Sequence, residues 1–183
     1  MKSFFPGRVR HHDNLIDKKK MPSYIAKTSI GVVMKLSDLI PDRHIISDLQ
    51  GETKIEIIEE LLERMKEENL VENFEAALND ILDREGYLST GLENGLAIPH
   101  AKTDSSRELA IVFGLKKSGV SFESLDGKPA ELIFLVLSPK DTSGPHIQAL
   151  ALITRNLKDA RTREQIKKCK TAKEIAAIFR EFD

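Results

Sequence analysis

A lone cysteine, Cys169, is all the thiol this 183-residue chain carries. An intrachain disulfide is therefore excluded, and the chain suits a reducing compartment. Charge of one sign is also missing, since 28 lysines and arginines stand against 29 aspartates and glutamates. No strongly basic face is forced, so nucleic acid is not an implied partner. Long apolar runs are absent. The longest, residues 132–137, falls far short of the roughly 20 residues that a helix needs to span a bilayer. The start of the chain is polar and basic, without the apolar stretch of a signal peptide. A soluble cytoplasmic protein is expected. There is neither a nucleotide-binding P-loop nor a cluster of metal-ligand spacing, and the pair His11–His12 lacks a cysteine or acidic partner. No metal or other cofactor is expected.

What is present fits one domain with a real core. Residues 1–33 read differently from the rest. They carry Phe4-Phe5-Pro6-Gly7, His11-His12 and Lys18-Lys19-Lys20, with no sustained helical or strand period. We expect a disordered N-terminal extension, or an upstream translation start with Met34 the ordinary one, ahead of a domain of residues 34–183. A basic docking arm is the alternative.

Periodicity predicts a helical turn at 36–39 and a short strand at 44–49. A helix over 53–68 follows, with Ile55, Ile58, Leu61, Leu62 and Met65 on one stripe and the capping-box spacing Thr53–Glu56. Asn69 suits its end. Asn73 caps a second helix through Phe74, Ala77, Leu78, Ile81 and Leu82, with Gly86 as the C-cap. Strands are expected at 96–98, 109–115 and 132–137, with turns at Ser118-Gly119 and Asp126-Gly127-Lys128-Pro129. Val120, Phe122 and Leu125 between those turns point toward the core. Ser143-Gly144 and then Pro145 open a helix over 146–157, and two short helices close the chain at 160–168 and 171–182. The strands at 109–115 and 132–137 are apolar on both pleat faces. That pattern predicts an α/β fold: a single domain whose central mixed β-sheet is covered by helices on both faces, an α/β/α sandwich. Cys169, among lysines, reads as structural.

The chain is organised around Leu88-Ser-Thr-Gly-Leu-Glu-Asn-Gly-Leu-Ala-Ile-Pro-His100. Gly91, Asn94 and Gly95 tolerate positive φ and let backbone approach a ligand. Pro99 is expected to end the short strand, leaving His100 at a strand end beside the small Ala101. Arg84 falls in the last turn of the second helix, near this loop. Its planar fork matches phosphate oxygens in a way lysine cannot. His146 stands in the first turn of its helix, where the dipole disfavours protonation.

These residues resemble the phosphorylation-site signature of the type 2 (mannitol/fructose) IIA proteins of the bacterial phosphoenolpyruvate-dependent phosphotransferase system. The match runs through Arg84-Glu-x-x-x-Ser89-Thr90-Gly91-x-x-Asn94-Gly95-x-Ala97-Ile98-Pro99-His100-Ala101. It resumes at His146-x-x-x-Leu150-Ala151-x-x-x-Arg155-x-Leu157. Glu93 departs from it, standing where the family more often has glycine. The resemblance implies a phosphotransferase component acting through a phosphohistidine, with His100 the nucleophile and Nε2 the phosphorylated atom. A neutral imidazole is a good nucleophile near pH 7, and the remaining work is positioning and charge neutralisation. His146 is expected to hydrogen-bond the phosphoryl oxygens or the His100 ring, and Arg84 to neutralise charge as the transition state forms. The Thr90 hydroxyl and the backbone N–H groups from Gly91 through Asn94 to Gly95 complete the expected phosphate cradle.

The implied donor is a small histidine phosphocarrier protein. The implied partner downstream is either a cysteine on a IIB domain, in sugar uptake, or a transporter or kinase regulated by the phosphorylation state, in nitrogen regulation. With no IIB or membrane domain on this chain, the regulatory, nitrogen-type reading is the leading expectation. A IIA-like binding module that is never phosphorylated is the alternative of another class. Leu88, Leu92 and Leu96 are candidates for the partner-docking surface.

Overall fold

A computed structural model describes residues 25–28 and 31–182. His11, His12 and the lysine run Lys18–Lys20 lie outside the described residues, as does most of the expected extension. Within that extension the backbone of β1 (Ile25–Thr28) pairs antiparallel with that of β2 (Gly31–Met34). Sequence reading assigned no strand there.

The central sheet is built on two long strands, β6 (Ala110–Val120) and β7 (Ala130–Ser138), which pair antiparallel. The short β3 (Ile45–Ile46) adds parallel to β6. Both β4 (Leu96–Ala97) and β5 (His100–Lys102) add parallel to β7 on its other edge. The sheet is therefore mixed and five-stranded. Alternation along β6 and β7 sends side chains to two separate cores, as a pleat of period 2 requires. Phe113, Leu115, Leu132, Phe134 and Val136 meet α1 (Leu36–Leu39), α4 (Gly144–Asn156), α5 (Ala160–Lys168) and α6 (Ala172–Arg180). Ala110, Val112, Ile133, Leu135 and Leu137 meet α2 (Lys54–Glu67) and α3 (Phe74–Tyr87). Helices thus cover both faces, as the doubly apolar strands predicted. No helix among the described residues is long and apolar enough to cross a membrane.

Local signals decided most helix ends. Thr53 and Glu56 form the expected reciprocal capping box, and Asn73 accepts from the Ala76 amide. Asn69 ends α2 with φ +57°. Other expectations are corrected. Gly86 does not cap α3. It lies inside the helix, which runs to Tyr87, with Leu88 the extended residue at its end. Ile55 is exposed, and Ile57 takes its place on the buried stripe. The expected strand at 44–49 shrinks to β3, because a 3-10 turn, Asp42–His44, occupies its start. Ser118-Gly119 does not end β6. The strand absorbs it as an irregularity in register, with Gly119 at φ +69°. Val120 and Phe122 are buried as expected, but Leu125 is exposed.

Pro99 also acts differently from expectation. It interrupts the edge without ending it. Its carbonyl accepts from Val136 N–H (2.9 Å), and β5 begins at once with His100 opposite Val136. His100 is therefore held in the sheet, in register with the strand beside it.

Candidate functional site

His100 is half-buried, and its Nδ1 lies 2.7 Å from the carbonyl oxygen of Ile98. A carbonyl can only accept, so Nδ1 donates and the lone pair of the neutral ring sits on Nε2. Burial pushes the ring's pKa down. The Ile98 bond raises it, the Arg84 charge lowers it, and the Glu85 charge raises it, leaving it below the ordinary histidine value. Burial thus favours the neutral ring, whose free lone pair is fixed on Nε2 by the Ile98 carbonyl.

His146 faces it. The two ring centroids are 5.6 Å apart and the planes tilt by 56°. His146 is buried in the first turn of α4, as its sequence position predicted. Its Nδ1 lies 2.8 Å from Ser138 Oγ. Ser138 is fully buried at the end of β7, and this ring is its hydroxyl's partner. A Ser138 O–H that donates to Nδ1 places the imidazole proton on Nε2; an Nδ1–H that donates to the hydroxyl places the lone pair there instead. Burial, then the charges of His100, Lys102 and Arg84, push the His146 pKa down to about 4. His146 is therefore a neutral imidazole at physiological pH.

Arg84 comes from the last turn of α3 and lines the same depression, together with Asp80, Asp83 and Tyr87 from that helix and Lys102 from β5. One arm of its guanidinium, Nη1, donates to the Leu88 carbonyl (2.9 Å). Lys102 Nζ donates to Ser143 Oγ (3.0 Å), just ahead of α4. Arg84, His100 and His146, read from sequence as one group, are brought together.

The expected phosphate cradle is not. Thr90 is buried, and its hydroxyl and amide both donate to the Glu85 carboxylate, at 2.6 and 3.0 Å. The loop's amides hold the loop itself: Leu92 N–H donates to the Leu96 carbonyl (2.8 Å) and Asn94 N–H to Asp126 (3.0 Å). Gly91 packs against Phe122 and Ser124. Asn94 and Gly95, with φ of +64° and +75°, form a tight turn as their residue types suggested. That turn lies well along the strand from His100. The Gly95 carbonyl accepts from Leu132 N–H, whereas His100 pairs with Val136. Four residues along a strand is about 13 Å. Of the docking candidates, Leu88 is exposed and Leu92 partly so, but Leu96 is buried in the core.

Sequence reasoning missed Ser138, Lys102, Asp80 and Asp83. Asp80 and Asp83 precede Arg84 and Tyr87 by four residues on α3, a spacing that places each pair on one helix face, so that signal was available. Nothing in the sequence linked Ser138 to His146.

Comparisons with known proteins find a matching family and matching folds. The family described as "Phosphoenolpyruvate-dependent sugar phosphotransferase system, EIIA 2" matches residues 38–182. A fructose-specific EIIABC component of Bacillus subtilis is 33% identical over 150 residues. The match takes in 82% of this chain but only 24% of that protein. A fructose-specific EIIA component of Haloferax volcanii is 32% identical over 149 residues, covering 81% of this chain and 97% of the relative. Among solved structures, the nitrogen regulatory protein IIA-Ntr of Neisseria meningitidis superposes with a TM-score of 0.72 at 28% identity. It covers 78% of this chain and 97% of that one.

Proposed function

The chain belongs to the EIIA type 2 family of the phosphoenolpyruvate-dependent sugar phosphotransferase system, and from that premise we propose that it is a histidine phosphocarrier with His100 as its nucleophile. One observation carries the reading. The Ile98 carbonyl occupies Nδ1 of His100, so the lone pair that can attack phosphorus lies on Nε2, in the depression shared with Arg84 and His146.

The reaction runs from a small phosphohistidine donor protein. The P–N bond of the donor breaks and the electron pair leaves with the donor ring, while phosphorus bonds to His100 Nε2. Positive charge grows on the His100 ring as that bond forms, and the Ile98 oxygen bonded to Nδ1–H stabilises it. His146 Nε2–H and the Arg84 guanidinium meet the phosphoryl oxygens, compensating charge where it moves. Asp80 and Asp83 on the same rim keep the site from being wholly cationic, which suits a group that must leave again. No nucleotide or metal enters the step.

Two fates follow from one site. Likeness to IIA-Ntr supports a regulatory, nitrogen-type role, in which the phosphorylation state controls binding to a transporter or kinase. Identity to the fructose-specific relatives supports passage of the phosphoryl group to a IIB cysteine. Incubation with phosphoenolpyruvate, enzyme I and the histidine phosphocarrier, followed by addition of cognate IIB domains, separates them. A phosphoryl group that stays on this protein while every IIB remains unlabelled supports the regulatory role. Loss of label to a IIB cysteine supports sugar uptake. No label at any stage overturns the phosphocarrier reading and favours a non-phosphorylated binding module.

A further inference from the structure

Glu85 is a buried carboxylate that the proposed transfer step does not use. It is 9% exposed on the inner face of α3, one residue after Arg84. Its Oε2 accepts from the Thr90 hydroxyl (2.6 Å), and its Oε1 from the Thr90 amide (3.0 Å) and from Lys54 Nζ (3.3 Å). Ser89 Oγ lies 3.2 Å from the same Oε1 and donates to the Phe122 carbonyl. A carboxylate taken from water costs several kcal/mol unless its lone pairs are met, and here they are. Burial pushes the carboxyl's pKa up. The Thr90 hydroxyl and amide and the Lys54 ammonium pull it down further, so its pKa lies below the usual carboxylate value.

What these bonds hold leads to the histidine. Thr90, fixed by Glu85 through both its amide and its hydroxyl, offers its own carbonyl to Ile98 N–H (3.1 Å). The carbonyl of Ile98 then takes the proton of His100 Nδ1 (2.7 Å). Two further links tie the same strip together. Gly91 bridges to Ala97, and Arg84 Nη1 holds the Leu88 carbonyl from the other side. The path from α3 to the imidazole is thus carboxylate, Thr90, Ile98 peptide, ring.

We propose that Glu85 is a positioning residue for the phosphoryl-accepting histidine: through Thr90 and the Ile98 peptide it fixes the ring's orientation and its Nδ1–H tautomer. Glu85 touches neither phosphoryl group nor partner. Its part is to keep the Ile98 oxygen where His100 must present Nε2 outward. The proposal rests on His100 being the phosphoryl acceptor, but its first consequence concerns the ring alone.

The test uses the full chain with Glu85→Gln and Thr90→Val, beside the parent. Long-range 1H–15N spectra at neutral pH report the His100 tautomer, and intact mass reports the rate of phosphoryl uptake from the phosphorylated histidine carrier. In the parent the Nδ1–H form should dominate. In Glu85→Gln the Nε2–H form should appear, and uptake should slow by between about tenfold and a hundredfold, the cost of misplacing a reacting group by about an ångström. Thr90→Val keeps the shape and removes only the hydroxyl bond, so it should move both readouts the same way by less. It decides the matter if Glu85→Gln fails to fold. An unchanged tautomer and unchanged rate in a folded variant overturn the proposal. If the parent takes up no phosphate, the phosphocarrier reading has failed, and the tautomer comparison still settles the role of Glu85.

Discussion

Alanine at Gly86 and at Gly91 should move stability in opposite directions, although the two glycines sit five residues apart. Gly86 lies in the last turns of α3 with negative φ, and a Cβ built there meets nothing within 4 Å. Alanine would contribute about 0.5–1 kcal/mol, through better helix propensity and a less mobile unfolded chain. Gly91 also has negative φ, so alanine strains no dihedral. Its Cβ, however, would stand 2.4 Å from the Phe122 carbonyl oxygen and 2.9 Å from Ser124 Cα. Both are backbone atoms that cannot rotate away, so the segment must shift, at about 1–3 kcal/mol for overpacking. At about 2–4 °C per kcal/mol for a domain of this size, Gly86→Ala should melt about 1–4 °C higher and Gly91→Ala about 2–12 °C lower. Urea unfolding followed by circular dichroism, with the midpoint moving and the slope constant, measures both. A Gly86→Ala variant less stable by about 1 kcal/mol would mean that Gly86 takes the left-handed conformation of a helix cap. A neutral Gly91→Ala would mean that the loop does not pack on residues 122–124.

Further outcomes follow from the site and its supports. His146 keeps a pKa of about 4 when folded against 6.5 unfolded. The unfolded chain therefore binds the extra proton, and stability falls as pH drops from 6.5 toward 4, by roughly 3 kcal/mol at most. Replacing His146 by Gln should flatten that part of a pH–stability profile, and an unchanged slope would refute the assignment. His44 and His100, also lowered by burial, leave a residual slope of the same sign. Arg84→Lys keeps the charge but loses the planar fork, so phosphoryl uptake should slow by about tenfold or more in single-turnover mass measurements; an undiminished rate would remove Arg84 from the phosphate contacts. Cys169 is buried, with its thiol pushed up by burial first and then by Glu174. A thiol reagent should label it only on unfolding, and rapid labelling of native protein would contradict its structural role.

The sandwich was legible because β6 and β7 are apolar on both faces, and because Thr53, Asn73 and Pro145 mark helix starts by local chemistry. The histidine pair and Arg84 were legible because their residue types and spacing form a recognisable motif. The placement of the expected cradle was not legible, because Asn94 and Gly95 signal a turn, and turn chemistry alone does not say which end of a strand that turn occupies. The loop's N–H groups looked free for phosphate, yet those of Thr90, Leu92 and Asn94 are taken by Glu85, Leu96 and Asp126. Gly86 misled for a related reason. A glycine near a helix end is a cap only when φ is positive, and here the helix continues because Leu88, extended beyond Tyr87, leads into the strip held by Glu85 and Arg84. Ser138 gave no sequence signal because its meaning lies wholly in its contact with a helix that begins after the next loop.

The most direct test of the central claim is where phosphorus sits after transfer. Long-range 1H–15N spectra of protein phosphorylated by its histidine carrier distinguish the two ring nitrogens of each histidine. The account predicts phosphorus on Nε2 of His100, with Nδ1 still protonated against the Ile98 carbonyl and His146 unmodified. Phosphorus on Nδ1 of His100, on His146, or on neither would contradict it.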